Sequence, residues 1–226
     1  MQVANNSRVV VFQDWTLRIY LPEKPVRLLV LIHGYKGDEN SMWVFANGLN
    51  ENYCIMAPRA PHQVSDGGFS WRPTEADSLG QMSRESVLIQ LSNLVEVIEG
   101  YSGSIGLNSK PFDMIGFSQG AALVYLIALN HPGLIEKAAI LGGFSAGAGS
   151  ETIKDKPLEG KHFFVAHGTR DDKVPLEQSK LMANLLERAG AKITYCQDDV
   201  GHKVSSRCLR AMKSYFAESH NPEERN

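Results

Sequence analysis

The chain has 226 residues, of which 43% are hydrophobic, so its length and composition predict one compact domain over residues 1–226 with a sizeable core. Its 23 Lys and Arg residues nearly balance its 25 Asp and Glu residues, which excludes the strongly basic surface typical of proteins that bind nucleic acid or acidic membranes. No apolar run approaches the ~20 residues that a membrane-spanning helix needs.

Strand-like runs and helical patterns alternate along the chain. Arg8–Leu21 contains two strand-like runs with no helical stretch between them, which predicts a hairpin. Later runs such as Leu28–Ile32 and Phe163–Ala166 are apolar without alternation, as is typical of strands buried on both faces of a mainly parallel sheet. In order, the predicted strands are Arg8–Gln13, Leu17–Leu21, Leu28–His33, Tyr53–Ala57, Phe112–Phe117, Lys137–Gly142, Phe163–His167 and Lys192–Gln197.

Apolar residues at helical spacing fill the intervals between the later strands. The predicted helical faces lie in Leu79–Ile98, Ala121–Asn130, Leu181–Leu185–Ala189 and Cys208–Met212–Tyr215. This alternation predicts an α/β fold, a three-layer sandwich with a mainly parallel central sheet and helices on both faces. Ser145–Gly160 is rich in Gly, Ser and Lys, and we expect it to loop over the carboxyl edge of the sheet, although it is short for a lid.

The termini and the cysteines give no indication of export. Met1–Ser7 lacks the basic and apolar regions of a signal peptide, and the polar segment Ser219–Asn226 predicts a flexible tail. Cys54, Cys196 and Cys208 match neither a zinc site nor a disulfide framework, and Cys54 and Cys196, which lie in apolar runs, are interpreted as small core residues. These features predict a reducing compartment and a cytoplasmic protein.

A G-x-S-x-G motif joins the buried strand Phe112–Phe117 to the helix that follows it, and it reads Gly116-Phe117-Ser118-Gln119-Gly120. On a sharp strand-to-helix turn, a serine is held in a strained conformation with its hydroxyl above the sheet. The helix N-terminus there favours developing negative charge. The simpler interpretation is a turn with a helix-capping serine, but the position directly after a buried strand favours Ser118 as a nucleophile.

Chain order selects the base that would activate Ser118. In the α/β-hydrolase fold, where this motif occurs, the nucleophile is followed by the acid and then by histidine. Only His202 and His220 follow the candidate acids, and His220 lies in the polar tail. His202 follows the last strand, at the edge where Ser118 stands, and histidine titrates near neutrality as a general base should. The alternative for His202 is a structural role at the start of the next helix.

The acid that would orient His202 follows the strand that ends at His167. Asp171 and Asp172 both lie there, and residue spacing alone does not choose between them. Asp198 and Asp199 lie closer to His202 in sequence and are weaker candidates. We expect the unused aspartate to turn outward or to cap the helix that begins near Pro175.

The loop after the third strand is expected to form half of an oxyanion hole. In this fold that loop supplies one backbone N–H, and the residue after the nucleophile supplies the other. The loop reads His33-Gly34-Tyr35-Lys36-Gly37-Asp38-Glu39-Asn40, so the predicted donors are Tyr35 and Gln119. A Gly-rich turn that leads into a capped helix explains the same residues, and both interpretations are compatible. The loop lacks the nucleotide-binding pattern G-x-x-x-x-G-K-[ST].

These residues together resemble the phospholipase/carboxylesterase family, which includes acyl-protein thioesterases and bacterial carboxylesterases. The resemblance extends over most of the chain, and Gly201-His202 completes it. Its other segments are Ile32-His33-Gly34, Gly37-Asp38-Glu39-Asn40, Ala57-Pro58-Arg59-Ala60-Pro61, Gly116-Phe117-Ser118-Gln119-Gly120-Ala121 and His167-Gly168…Asp171…Val174-Pro175.

The resemblance implies the roles of several further residues. It selects Asp171, since the family's aspartate lies four residues after the strand-end histidine and three before the Val-Pro pair. It implies a substrate wall that contains Phe69 and Trp71, with Phe144 as a further candidate; packing of these aromatic rings against the core is the alternative. Lys36 departs from similar bacterial esterases, which often have a small residue at this place, so the shape and charge of the loop differ here.

The sequence therefore predicts a serine hydrolase that cleaves carboxylic esters of small or medium acyl chains through an acyl-enzyme. A thioesterase acting on acyl-proteins or acyl-CoA, and a non-catalytic ligand-binding module on the same scaffold, are the alternatives. No cofactor is implied, and scattered histidines without H-E-x-x-H predict no metal site. The expected partner is a small-molecule ester, with no nucleic acid and no membrane insertion. The oligomeric state is left open, and a homodimer is compatible with the sequence.

Overall fold

A computed structural model describes residues 6–49, 53–73, 84–107, 110–145 and 156–217 of the chain. The strands are β1 (Arg8–Phe12), β2 (Trp15–Tyr20), β3 (Arg27–Ile32), β4 (Tyr53–Pro58), β5 (His62–Gln63), β6 (Phe69–Ser70), β7 (Phe112–Phe117), β8 (Ile135–Leu141), β9 (His162–Gly168) and β10 (Lys192–Asp198). Eight of them form one sheet in the order β1-β2-β4-β3-β7-β8-β9-β10, while β5 and β6 pair separately. The β1–β2 and β2–β4 pairs are antiparallel and the rest of the large sheet is parallel.

Helices cover both faces of the large sheet. They are α1 (Trp43–Ala46), α2 (Arg84–Ser104), α3 (Gln119–Asn130), α4 (Leu176–Arg188) and α5 (Ser206–Ala217). Buried residues of α2, α3 and α4 belong to one apolar cluster, and those of α1 and α5 belong to another. Strand β3 is apolar without alternation because both of its faces are buried: Leu28 and Val30 enter the first cluster, and Leu29 enters the second.

The α/β-hydrolase architecture predicted from the sequence is confirmed. Every predicted strand is present, with ends within two residues of the predicted ones, and β1 and β2 form the predicted hairpin. The β5–β6 pair was not predicted, because two-residue strands carry no periodic signal. The predicted face of α4 is wrong at Leu181, which is 47% exposed, because the buried stripe is centred on Met182 and Leu186.

The expectation that the cysteines form no disulfide is wrong, although Cys54 and Cys196 are buried in the core as predicted. Cys196 in β10 and Cys208 in α5 form a disulfide, with Cα atoms 5.7 Å apart. Cys54 is the free, buried thiol that the sequence predicted. Spacing alone does not reveal this pair, since the partners come together only when α5 packs back against β10. The cysteines therefore no longer support the expectation of a reducing compartment.

Some predictions fall on residues outside the described ranges. These are the start of the Leu79–Ile98 face, the tail Ser219–Asn226 with His220, and most of the Ser145–Gly160 loop. One domain over the whole chain likewise stays a prediction. Among the residues described, no helix combines the length and apolar character needed to cross a bilayer.

Candidate active site

Ser118 stands on a sharp turn between β7 and α3. Its backbone has φ = 53° and ψ = −115°, a conformation that costs a non-glycine residue about 1–3 kcal/mol. The Ser118 amide donates a 2.8 Å hydrogen bond to the Leu141 carbonyl, which ties the turn to β8. Two glycines make the turn possible: a Cβ on Gly116 would lie 2.5 Å from the Gly120 oxygen, and one on Gly120 would lie 2.2 Å from the Ile32 oxygen.

Side chains from three strand ends meet beside this turn. His202 follows β10, and its Nε2 lies 2.9 Å from the Ser118 Oγ. Its Nδ1 lies 2.7 Å from the Oδ2 of Asp171, which follows β9. An ionised carboxylate only accepts hydrogen bonds, so Nδ1 carries the ring proton and donates it to Asp171. Nε2 is then free to accept a hydrogen bond from the serine hydroxyl.

The Asp171 carboxylate is held in its ionised form by its surroundings. Its side chain is 1% exposed, and its Oδ1 accepts hydrogen bonds of 2.9 Å from the amides of Lys173 and Val174. Burial alone raises the pKa of Asp171, but these amides and the His202 ring outweigh burial and leave the pKa below its ordinary value. Both carboxylate oxygens are therefore used, one to fix the loop and one to orient the imidazole.

The other candidate acids face away from His202. Asp172 is exposed and lies 3.4 Å from the Lys173 ammonium, as expected for the aspartate that turns outward. Asp198 contacts Arg207, and Asp199 forms a 2.7 Å ion pair with Arg170. Among these four aspartates, Asp171 is the one that contacts the His202 ring.

His167 stabilises the loop that carries Asp171. Its buried ring places Nε2 2.8 Å from the Val174 carbonyl and 3.5 Å from the Asp171 Oδ2. With its proton on Nε2, the ring donates to the Val174 carbonyl and holds the chain around Asp171 in place. This matches the structural role that its position at the strand end predicted.

A buried histidine braces the loop after β3. The Nε2 of His33 lies 3.0 Å from the Ala60 amide nitrogen and accepts its proton, so Nδ1 carries the ring proton and donates to the Gly34 carbonyl at 2.7 Å. Burial lowers the pKa of His33, which favours this neutral form. The indole nitrogen of Trp71 donates to the His33 carbonyl at 2.8 Å. The loop beside Ser118 is therefore held from two sides.

The two predicted oxyanion donors flank Ser118. Gln119 is the first residue of α3, whose first amides have no acceptor within the helix. In the β3 loop, the amides of Lys36 and Gly37 donate to backbone carbonyls, whereas no described residue accepts a hydrogen bond from the amide of Tyr35. A Cβ on Gly34 would lie 3.2 Å from the Ser118 Cβ, so this loop passes close to the nucleophile.

Lys36, the loop residue that departs from the family pattern, adopts an unusual backbone conformation. Its φ is 62°, a value that favours glycine, and its ammonium pairs with Asp66. The neighbouring ring of Tyr35 is 53% exposed and lines the cavity in front of Ser118. Lys36 thus alters the rim of the cavity, whereas the backbone of its loop still passes close to Ser118.

A cavity of about 860 Å³ opens in front of Ser118. Phe144, predicted as a substrate contact, lines it. Phe69 and Trp71 do not line it, and their prediction as a substrate wall is corrected. Trp71 is fully buried against the ring of His33, and Phe69 lies under the Arg59 guanidinium, 4.6 Å from its carbon. Ser70 and Arg72, on either side of Trp71, line the cavity instead.

Sequence reasoning missed most residues of the cavity wall. Phe45 and Phe117 stack at 6.5 Å between ring centroids, and the Phe117 ring lies 5.0 Å from that of His202. The further apolar wall residues that were missed are Met42, Val44, Val174, Val204 and Leu209. They come from four separate segments, so no local pattern groups them. Arg72 was also missed, although it directly follows Trp71, which the family resemblance had placed in the substrate wall.

Among the described residues, no three His, Cys, Asp or Glu side chains cluster as metal ligands would. The titratable groups of the site instead form the Ser118–His202–Asp171 series and its supports. Hydrogen bonds of this kind between a hydroxyl, an imidazole and a carboxylate are able to move a proton off the hydroxyl oxygen. The arrangement is therefore suited to acyl transfer.

Comparison with known proteins identifies related sequences and structures. The phospholipase/carboxylesterase family model matches residues 17–220. The carboxylesterase SOBER1 of Arabidopsis thaliana is 26% identical over 184 residues, which cover 78% of this chain and 76% of the relative. A pyrrolizixenacetamide deacetylase of Xenorhabdus hominickii is 27% identical over 117 residues, 51% of this chain. That match covers only 37% of the deacetylase.

The fold is shared with solved structures of low sequence identity. The crystal structure of a Bacillus cereus carboxylesterase superposes with a TM-score of 0.79. The two sequences are 19% identical, and the superposition covers 91% of this chain and 94% of the other. Likeness at this identity shows a common architecture.

Proposed function

The chain belongs to the phospholipase/carboxylesterase family, and on that basis we propose that it is a serine hydrolase that cleaves carboxylic esters of small or medium acyl chains. The observation that carries the proposal is the continuous hydrogen-bonded series from Asp171 through His202 to Ser118, at 2.7 and 2.9 Å. A serine hydroxyl alone is a weak nucleophile, and a base oriented by a carboxylate activates it.

Each residue of the series has a defined part in the proposed reaction. Ser118 Oγ attacks the ester carbonyl carbon while His202 Nε2 takes the hydroxyl proton. Asp171 stabilises the imidazolium that forms, and its own ionised state is favoured by the surrounding amides. His202 then gives the proton to the leaving alcohol oxygen as the C–O bond breaks. Water attacks the acyl-enzyme with the same base and frees the acid.

The amides of Tyr35 and Gln119 are the proposed donors to the tetrahedral oxyanion. They support the proposal because they come from two segments that flank the nucleophile. Each such donor is worth roughly 3–4 kcal/mol of transition-state stabilisation. The Gln119 side chain fixes this region further, since its Oε1 accepts a 2.9 Å hydrogen bond from the Trp71 amide. Preorganised donors of this kind need no reorientation during the reaction.

The acyl chain is proposed to lie against the apolar part of the cavity wall. Phe45, Phe144 and Leu209 contribute to this wall. A volume of about 860 Å³ holds a short or medium acyl chain together with its alcohol. We therefore expect turnover to fall when the acyl chain outgrows the cavity.

The proposal is tested with 4-nitrophenyl esters of two to twelve acyl carbons. Ser118→Ala should lower kcat by at least about 10³-fold, because the acyl-enzyme cannot form. Ser104→Ala is the matched control, since this exposed serine ends α2, is not among the residues that line the cavity, and donates its hydroxyl hydrogen bond to the Tyr101 carbonyl. A fluorophosphonate probe should label the wild-type protein at Ser118. Undiminished turnover in Ser118→Ala would refute the proposal, and a folded wild-type protein without labelling would favour a non-catalytic module.

Thioester hydrolysis is distinguished by a matched pair of substrates. The hydrogen-bonded series acts on both bond types, so the contacts of the site do not favour one. We propose oxygen esters as the preferred class, with kcat/KM measured in competition between an oxygen ester and a thioester of the same acyl chain. A higher kcat/KM for the thioester would assign the enzyme to thioesterases instead.

A further inference from the structure

Basic side chains surround the cavity in front of Ser118, and no acidic residue is among the described residues that line it. The basic residues are Lys36, Arg72, Lys173 and Lys203. A wall with one sign of charge focuses its field into the cavity and attracts ligands of opposite sign. The charge of the lining thus bears on which esters the proposed hydrolase prefers.

Arg72 differs from the three lysines in burial and in pairing. Lys36 pairs with Asp66, Lys173 lies 3.4 Å from an Asp172 oxygen, and Lys203 is exposed to solvent. Arg72 is half-buried, and no acidic side chain contacts it among the described residues. Its Nε is buried without a hydrogen-bond partner. Burial lowers the pKa of Arg72, as expected for a desolvated cation, yet guanidinium stays charged at neutral pH.

The backbone of Arg72 is fixed through hydrogen bonds that lead to the side chain of Gln119, the residue after the nucleophile. Its amide donates to the Ser70 Oγ at 3.1 Å, and that hydroxyl lies 3.2 Å from the Gln119 Nε2. The Trp71 amide donates to the Gln119 Oε1 at 2.9 Å. Gln119 follows Ser118 in the chain, so the guanidinium is carried by a segment hydrogen-bonded to the residue next to the nucleophile. Such support reduces the entropy lost when a ligand is bound.

We propose that Arg72 binds a carboxylate on the substrate, so that the preferred esters carry one negative charge in addition to the scissile ester. This inference rests on the proposed ester hydrolysis at Ser118 and names its substrate class. The guanidinium fork matches a planar carboxylate, and a buried donor without a partner gains most from such a ligand. The apolar wall at Phe45 and Phe144 takes the carbon chain between the two groups.

Matched anionic and neutral esters test the proposal on both sides of the scissile bond. On the acyl side, 4-nitrophenyl hydrogen adipate is compared with its terminal amide. On the alcohol side, 4-acetoxybenzoate is compared with 4-acetoxybenzamide, and each ratio is corrected for alkaline reactivity. The wild-type protein should favour the anionic ester by about 10- to 100-fold in kcat/KM on at least one side, the ratio that one charge-assisted hydrogen bond gives.

Arg72→Gln should abolish this preference, and the loss should appear as a higher KM for the anionic ester. Arg72→Lys keeps the charge without the fork and should retain part of the preference, which also covers the case that Arg72→Gln fails to fold. Lys192→Gln is the control, because it removes an exposed charge at the start of β10, the opposite end from the site. Its preference should equal that of the wild-type protein.

The outcomes separate this inference from the proposed function. No anion preference in the wild-type protein, or a preference that survives in both Arg72 variants, overturns the role of Arg72. Neutral-ester turnover and fluorophosphonate labelling of Ser118 report the hydrolase independently. If neither anionic nor neutral esters are cleaved and Ser118 is not labelled, the proposed function itself fails.

Discussion

Replacing Cys196 and Cys208 together with alanine should lower the stability of the protein substantially. Their disulfide joins β10 to α5, and both residues are buried, at 7% and 2% exposure. The segment between them contains His202, so the disulfide closes a covalent loop around the proposed general base. Alanine is chosen because a buried serine would add a polar group in need of a hydrogen bond.

The size of the effect follows from the length of the closed loop. The two cysteines are 12 residues apart, and cross-linking a loop of that length removes unfolded-state entropy worth about 3 kcal/mol at 25 °C. For a protein of this size, 1 kcal/mol shifts Tm by about 2–4 °C. The double variant should therefore unfold about 6–12 °C below the wild-type protein. A longer loop would raise the value only slowly, since the entropy depends on the logarithm of loop length.

The assay is thermal unfolding by circular dichroism with and without dithiothreitol. The reductant should lower the wild-type Tm towards that of Cys196→Ala/Cys208→Ala, and it should leave the variant unchanged. Cys54→Ala is the matched control, because Cys54 is a free thiol whose pKa burial raises to about 12. That variant should keep the full sensitivity to reductant.

Two results would refute this reasoning. An equal Tm for the wild-type and double-variant proteins under oxidising conditions would mean that the covalent loop contributes nothing. A reductant effect of the same size in Cys196→Ala/Cys208→Ala would place its origin elsewhere. A peptide map of the oxidised protein checks the premise, since it should contain the fragment that links the two cysteines.

The remaining predictions concern the site and its turn. Asp171→Asn should lower kcat for 4-nitrophenyl butyrate by about 10⁴-fold, since an amide does not hold the imidazole in its productive tautomer. The fold lowers the pKa of Asp171, so its ionised carboxylate stabilises the protein above the pKa it has in the unfolded chain, and this stabilisation is lost as pH falls through the folded pKa. In Asp171→Asn, the free energy of unfolding measured in urea should therefore fall less steeply towards acid pH. Gly120→Ala should cost at least about 2 kcal/mol, because its Cβ would clash with the Ile32 carbonyl oxygen.

Each of these predictions has its own control or opposing outcome. Asp172→Asn, at the exposed neighbouring residue, should leave kcat and the pH dependence of the free energy of unfolding unchanged. A tenfold loss of kcat in this variant would contradict the assignment of the acid. An equally steep fall of the free energy of unfolding towards acid pH in the wild-type and Asp171→Asn proteins would contradict the direction of the pKa shift. Gly133→Ala has open space around its Cβ and should change the free energy of unfolding by less than about 0.5 kcal/mol. Equal costs at the two glycines would disprove the clash.

Much of the fold and part of the site were predictable because their signals are local. Leu28–Ile32 shows a strand buried on both faces by its apolar run alone, and the glycines around Ser118 mark a turn that tolerates no side chains. Chain order then narrowed the base to His202 and His220. The choice between Asp171 and Asp172 had no local signal and needed the family pattern. In the fold, the Asp171 carboxylate is buried, accepts a hydrogen bond from the Val174 amide and contacts His202, whereas Asp172 is exposed.

The failures have a common physical cause. The family resemblance implied a substrate wall that contains Phe69 and Trp71, but the structure follows the alternative for Trp71, whose ring is buried against the ring of His33. The disulfide was missed because Cys196 and Cys208 meet only through the packing of α5 on β10. Neither arrangement is encoded within one segment.

By itself, the sequence determined which segments become strands and helices and which residue types are available for acyl transfer, since periodicity and backbone preference act over a few residues. Only the tertiary structure decided which of those residues meet. Asp171 and His202 are 31 residues apart, and His202 and Ser118 are 84 residues apart, yet parallel strands bring their ends to one edge of the sheet. The charge of the cavity has the same origin, because long-range packing alone brings Arg72 into the lining of the cavity in front of Ser118, where no acidic residue of the described part of the chain joins it.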